Sequence, residues 1–181
     1  MNISIVSGSP RENSLSFRVA LFLQKHLQQQ TNYSVQIIDV RKHSVPAFLQ
    51  GVIRSVDEAP DSLKPLAQQI FATDAFILVT PEYNGSYTPA LKNLFDHFPK
   101  QMRKAFGIVT ASPGAMGGMR ATQQVQLLIN ALFGIGSPHM LVVPLVDKKF
   151  DEQGNLIDES LQSMVDTFTK EFLWLSEQLK K

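Results

Sequence analysis

The stretch Ile3-Ser-Ile-Val-Ser-Gly-Ser-Pro-Arg-Glu-Asn-Ser-Leu-Ser16 decides the fold. Ile3–Ser7 is a short β-branched run that stops at Gly8, which reads as a strand. Leu15, Val19, Phe22, Leu23 and Leu27 then recur at helical spacing, with Ser14 placed to cap the helix they predict. A strand, a polar loop and a helix follow one another within the first 30 residues.

The same succession repeats along the chain. Val35–Val40 reads as a second strand, and Leu63, Leu66, Ala67, Ile70 and Phe71 as a helix. Between them, Arg41–Pro60 is irregular, broken by Pro46, Gly51 and Pro60. Ala75–Thr80 is apolar until Thr80, as suits a third strand covered on both faces. Pro89 suits a first helical turn, followed by Leu91, Leu94, Phe95 and Phe98 on one face. Ala105–Ala111 is a fourth strand, Ala121, Val125, Leu128, Leu132 and Phe133 mark a helix, and His139–Pro144 is a fifth strand. Leu161, Met164, Val165, Phe168, Phe172, Leu175 and Leu179 mark a closing amphipathic helix. Five strands alternating with helices predict an α/β protein with a parallel sheet and helices on both faces.

The 181 residues suit one domain over 1–181, and there is no internal repeat or linker. With 17 basic and 16 acidic residues the formal charge is +1, which offers nothing to nucleic acid or another polyanion. Cysteine is absent, so disulfides, thiolate chemistry and cysteine-based metal sites are excluded. The histidines at 26, 43, 97 and 139 lack ligand spacing, and no metal site is expected. Asp147, Lys148, Lys149 and Asp151 read as a solvated charge cluster. No signal-peptide pattern opens the chain, and no run approaches the roughly 18 apolar residues that span a bilayer. A soluble cytoplasmic protein without a membrane partner is the expectation.

In such sheets ligands bind beyond the carboxyl ends of the strands. The loops after strands one, three and four are also the most distinctive in composition. Residues 8–16 combine Ser9, Ser14 and Ser16 as hydroxyl donors with the fixed charge of Arg11, just ahead of a helix whose first N–H groups are unpaired. That arrangement suits a phosphate, although Ser14 can equally serve as a cap alone. Thr80-Pro-Glu-Tyr-Asn-Gly-Ser-Tyr-Thr-Pro89 brings an aromatic surface and a turn-forming Asn-Gly pair, suited to a flat heteroaromatic ring or to a plain surface turn. Ser112-Pro-Gly-Ala-Met-Gly-Gly118 has glycines that permit close backbone approach, and reads equally as a flexible connection. Neither a Walker A motif nor a dinucleotide Gly-x-Gly-x-x-Gly is present.

With these loops in order, the chain resembles the NAD(P)H-dependent FMN reductase family of flavodoxin-like quinone, azo and chromate reductases. The resemblance rests on Gly8-Ser-x-Arg-x-x-Ser14, on Thr80-Pro-Glu-Tyr-Asn-Gly-Ser86 followed by Pro89-x-Leu-Lys-Asn93, and on Ala111-Ser-Pro-Gly114, Gly117-Gly118 and Arg120-Ala121. Ser16 departs from a common Asn, Ala115 from a frequent Gly, and Phe95-Asp-His-Phe98 from a common Asp-Trp. It implies a three-layer sandwich with strand order 2-1-3-4-5. It implies that Ser9, Arg11, Ser14 and Ser16, with Leu15 among them, hold the phosphate of FMN. Pro81, Glu82, Tyr83, Asn84 and Gly85 would border the flavin ring, with Ser112, Gly114 and Gly117 on its other side. NADPH or NADH would be the donor, a small molecule the electron acceptor, and a homodimer or homotetramer the assembly. No side chain is assigned a catalytic role, because the flavin carries the chemistry. A flavodoxin-type electron carrier without NAD(P)H activity is the alternative, and a flavin-free phosphate-binding domain a third reading.

Overall fold

The computed structural model describes residues 1–47 and 51–180. Part of the expected irregular stretch after the second strand, residues 48–50, lies outside them. Strands β1 (Asn2–Ser7), β2 (Ser34–Asp39), β3 (Ala75–Thr80), β4 (Ala105–Ala111), β5 (Ile135–Gly136) and β6 (Leu141–Val143) form one sheet. Its order is β2-β1-β3-β4-β5, every pairing is parallel, and β6 also pairs with β4. Helices α1 (Leu15–Gln30), α2 (Lys64–Ala72), α3 (Pro89–Asp96), α4 (Met119–Ala131), α5 (Val146–Lys149) and α6 (Gln162–Lys180) complete it. Among the described residues no helix is long and apolar enough to cross a membrane.

Side-chain alternation along the central strands builds two cores. Ile3, Ile5, Ile77 and Val109 face α1 and α6, where Val19, Leu23, Phe168 and Phe172 are buried. Val6, Leu78, Phe106 and Ile108 face α2, α3 and α4, where Leu66, Leu94, Phe95 and Val125 are buried. The rings of Phe76 and Phe106 stack at 5.2 Å, with Phe95 edge-on to Phe76 at 5.7 Å. Removing each such side chain from water contributes about 1.5–3 kcal/mol. β3 and β4 are buried at every position, which explains their unbroken apolar sequences.

The fifth strand differs from expectation. The chain pairs with Ala105 and Phe106 through Ile135 and Gly136, leaves the sheet, and returns through Leu141–Val143 beside Val109–Ala111. Ser137 still donates its N–H to the Phe106 carbonyl at 2.7 Å, but the next residue, Pro138, has no N–H to continue the ladder. The expected strand over His139–Pro144 is thereby trimmed to three residues. The second strand ends at Asp39, because the Asp39 carboxylate accepts the Arg41 N–H and starts a 3-10 turn over Val40–Lys42.

His26 lies in the seam between α1 and α6, stacked on Phe22 at 5.5 Å and 3.7 Å from the Asp166 carboxylate. Burial holds its pKa below the usual 6.5, against an opposing pull from Asp166. Burial lowers His43 in the same direction. A lowered folded pKa means that the unfolded chain takes up protons first as the pH falls, so stability is full above pH 6.5 and declines below it. Urea unfolding should show a falling midpoint as the pH drops below about 6.5, the ordinary histidine value. Replacing both His26 and His43 with Gln should flatten that part of the curve, and an unaltered slope would refute the assignment.

Candidate functional site

The loops that follow β1, β3 and β4 meet above the carboxyl edge of the sheet. Gly8 anchors the first of them. Its N–H donates to the Val79 carbonyl at 2.8 Å, and its own carbonyl accepts the Thr88 hydroxyl. The same Thr88 oxygen accepts the Leu91 N–H at 3.1 Å, capping α3. The start of α3 and the exit of β1 are thus one unit. Nothing in the sequence patterning singles out Thr88 beyond its place before Pro89.

Along the first loop, Ser9 and Ser16 are buried and Ser14 is half-buried. Ser14 Oγ caps α1 by accepting the Phe17 N–H at 3.2 Å, and it shares a hydrogen bond with Ser16 Oγ at 3.1 Å. The cap and the hydroxyl row therefore coexist in one residue. The half-buried Leu15 side chain packs against the core beneath the loop. Arg11 is exposed, and its guanidinium carbon lies 5.0 Å from the centroid of the Tyr83 ring. Hydroxyls, first-turn N–H groups and one cation make a donor set suited to a phosphate.

In the second loop, Tyr83 and Ser86 exchange backbone hydrogen bonds at 2.8 and 3.1 Å. Asn84 (φ 51) and Gly85 (φ 83) occupy the two central positions, and this left-handed pair is what a primed turn requires. The turn holds the Tyr83 ring beneath Arg11. Pro81, Glu82, Tyr83 and Gly85 are half-buried and Asn84 is exposed.

The third loop is secured at both ends. Ser112 donates its N–H to the Val143 carbonyl at 3.1 Å and accepts the Val146 N–H at 3.2 Å. Its hydroxyl accepts the Gly114 N–H at 3.0 Å, leaving Gly114 itself exposed. Gly117 is buried at φ +59, and a Cβ there would lie 2.7 Å from the Pro144 nitrogen. It packs against the Val142–Pro144 segment and lets the chain turn there. The residue at the N-cap of α4 is Gly118, which has no side chain to cap the helix. Glu82 supplies the cap from the neighbouring loop: its Oε2 accepts the Arg120 N–H at 3.2 Å. The Arg120 guanidinium lies a further 4.0 Å from the other carboxylate oxygen. A carboxylate at the positive end of a helix is favourable. The Glu82 carboxylate thus ties the loop after β3 to the first turn of α4. Met116 and Met119 are both exposed at this rim.

The sheet order defines a doubly wound α/β protein, and these three loops meet at the switch in that order. The chain belongs to the NADPH-dependent FMN reductase family, whose sequence pattern matches residues 1–148. It is an oxidoreductase that uses FMN with reduced nicotinamide as electron donor. It is 27% identical over 154 residues to the FMN-dependent NADPH-azoreductase of Staphylococcus aureus (strain USA300), covering 83% of this chain and 81% of that one. Among solved structures it is similar to the flavoenzyme NAD(P)H:(acceptor) oxidoreductase FerB from Paracoccus denitrificans, with TM-score 0.81, 22% identity and 98% and 97% of the two chains covered. It is also similar to a cysteine-to-alanine mutant of flavodoxin from Pseudomonas aeruginosa, with TM-score 0.57, 20% identity and coverage of 96% and 99%. The two structural likenesses speak to the flavodoxin-like fold.

Gly117→Ala should destabilise the protein by about 1–3 kcal/mol, because a left-handed backbone and a fixed backbone nitrogen both oppose the methyl group. Chemical unfolding measures this, and a variant as stable as the parent would show that Gly117 has room to spare.

Proposed function

We propose that residues 8–16 bind the phosphate of FMN and that the loops at 81–85 and 112–117 hold its ring. The observation that carries this is the convergence of the three loops at adjacent strand ends, with Arg11 resting on Tyr83 and Glu82 reaching α4. Ser9, Ser14 and Ser16 donate hydroxyl hydrogens to phosphate oxygens, Arg11 supplies the charge, and backbone N–H groups of residues 15 and 16 complete the cradle. Pro81, Glu82, Tyr83, Asn84 and Gly85 border one side of the ring, and Ser112, Gly114 and Gly117 shape the other.

Held by these residues, FMN would supply two-electron chemistry between reduced nicotinamide and an acceptor. The side chains orient the cofactor and leave one approach open, so donor and acceptor use the site in turn. We assign no catalytic residue. A quinone, an azo dye, a free flavin or a metal oxyanion fits such an open site, and the azoreductase relative favours the azo compounds. The reading places one domain in the cytoplasm as a homodimer or homotetramer. In support, Met119 at the start of α4 and Leu127 farther along it project apolar, exposed side chains. The net charge of +1 weighs against an electron carrier of the flavodoxin type, which docks through acidic surface.

The test is stopped-flow reduction of FMN-loaded protein. The flavin band should bleach with NADPH or NADH and recover on adding a quinone or an azo dye. A band that neither nucleotide bleaches would leave the electron-carrier reading in its place. Arg11→Ala should weaken FMN binding by about 1–3 kcal/mol, the range for hydrogen bonds to charged groups. An unchanged dissociation constant would remove Arg11 from the phosphate site. Light scattering at micromolar concentration checks the assembly, and a monomer would contradict it.

A further inference from the structure

Asp39 closes β2, in register with Ser7 at the end of β1, and its carboxylate is 3% exposed. A carboxylate so buried needs a partner. Arg41 provides it from two residues on: Nε lies 2.9 and 3.1 Å from the two Asp39 oxygens, and one terminal nitrogen 2.6 Å from Oδ2. The guanidinium is thereby locked in orientation. Its remaining nitrogen donates to the Glu12 carbonyl at 2.7 Å. Its flat face lies over the Phe17 ring, 4.3 Å from the centroid.

Glu12 stands in the turn just before the Ser14 cap, and Phe17 stands in the first turn of α1. Arg41 therefore touches the loop on both sides of Ser14 and Ser16, from a strand edge that belongs to neither.

We propose that Arg41 is a positioning residue that braces the phosphate loop at Glu12 and Phe17 while Asp39 holds its guanidinium in place. This rests on the assignment of residues 8–16 to the FMN phosphate. Arg41 contributes geometry: it fixes the backbone from which the hydroxyls and first-turn N–H groups project. The planar fork is essential to this role. A lysine at 41 would keep the charge and could pair with Asp39, but could not bond Asp39 and Glu12 together while stacking on Phe17.

The experiment measures FMN and riboflavin dissociation constants by flavin fluorescence for the parent, Arg41→Ala and Arg41→Lys, alongside their urea midpoints. Riboflavin has the ring and lacks the phosphate. Loss of the brace should raise the FMN constant about tenfold, as for one positioned hydrogen bond. Riboflavin binding should stay within about twofold, since the ring loops are untouched. Arg41→Ala leaves Asp39 buried without its partner, so the lysine variant, which retains a cation beside Asp39, decides the matter if the alanine variant does not fold. Lysine at full FMN affinity would mean that charge alone suffices and would overturn the brace. Equal loss of FMN and riboflavin would also overturn it, as general disruption. A parent protein that binds riboflavin and FMN equally well has a different signature, and it would remove the phosphate assignment itself.

Discussion

The peptide of Gly8 donates its N–H to β3 and receives a hydroxyl from the residue that caps α3. The first bond continues the β1–β3 ladder by one residue, and beyond it the two chains leave for separate crossovers. Thr88 closes the gap with a single oxygen that both donates and accepts. The loop after β1 and the loop after β3 are consequently tied together where they leave the sheet. Second contacts then branch outward, from Arg11 to Tyr83, from Arg41 to Glu12, and from Glu82 to α4.

The two faces of the sheet serve different ends. On one, α1 and α6 pack over β1, β3 and β4, with Phe168 and Phe172 filling the space beside Gly107. On the other, α3 and α4 start at the site itself and bury their stripes against the phenylalanine cluster of β3 and β4. Apolar burial on that second face therefore also fixes where the N-termini of two site helices lie. Stability and ligand geometry share the same side chains there.

Much of this was legible in the sequence, for identifiable reasons. The apolar runs of β3 and β4 and the heptad-like stripes of α1 and α6 are direct imprints of burial, and burial is local to each residue. The polar loop after β1 stood out as a candidate site because hydroxyls, an arginine and a helix start coincide in nine residues. The split of the fifth strand was not, because Leu141–Val143 pairs only where Pro138 lets the chain return. The short helix at Val146–Lys149 escaped for a similar reason, since it is entered through Leu145 at φ 49 and no composition signals that. The roles of Arg41, Thr88 and the Glu82 carboxylate depend on contacts between segments far apart in the chain, and periodicity is silent about those.

Helix α4 carries no cap of its own and borrows one from the loop after β3. Modular engineering meets a boundary there. Replacing the glycine-rich segment would change the helix start that the Glu82 carboxylate meets, and replacing the Tyr83 turn would remove that carboxylate. The two segments form a single cassette. A change in residues 81–85 is therefore also a change at the start of α4, while the Gly8 junction lies apart from both.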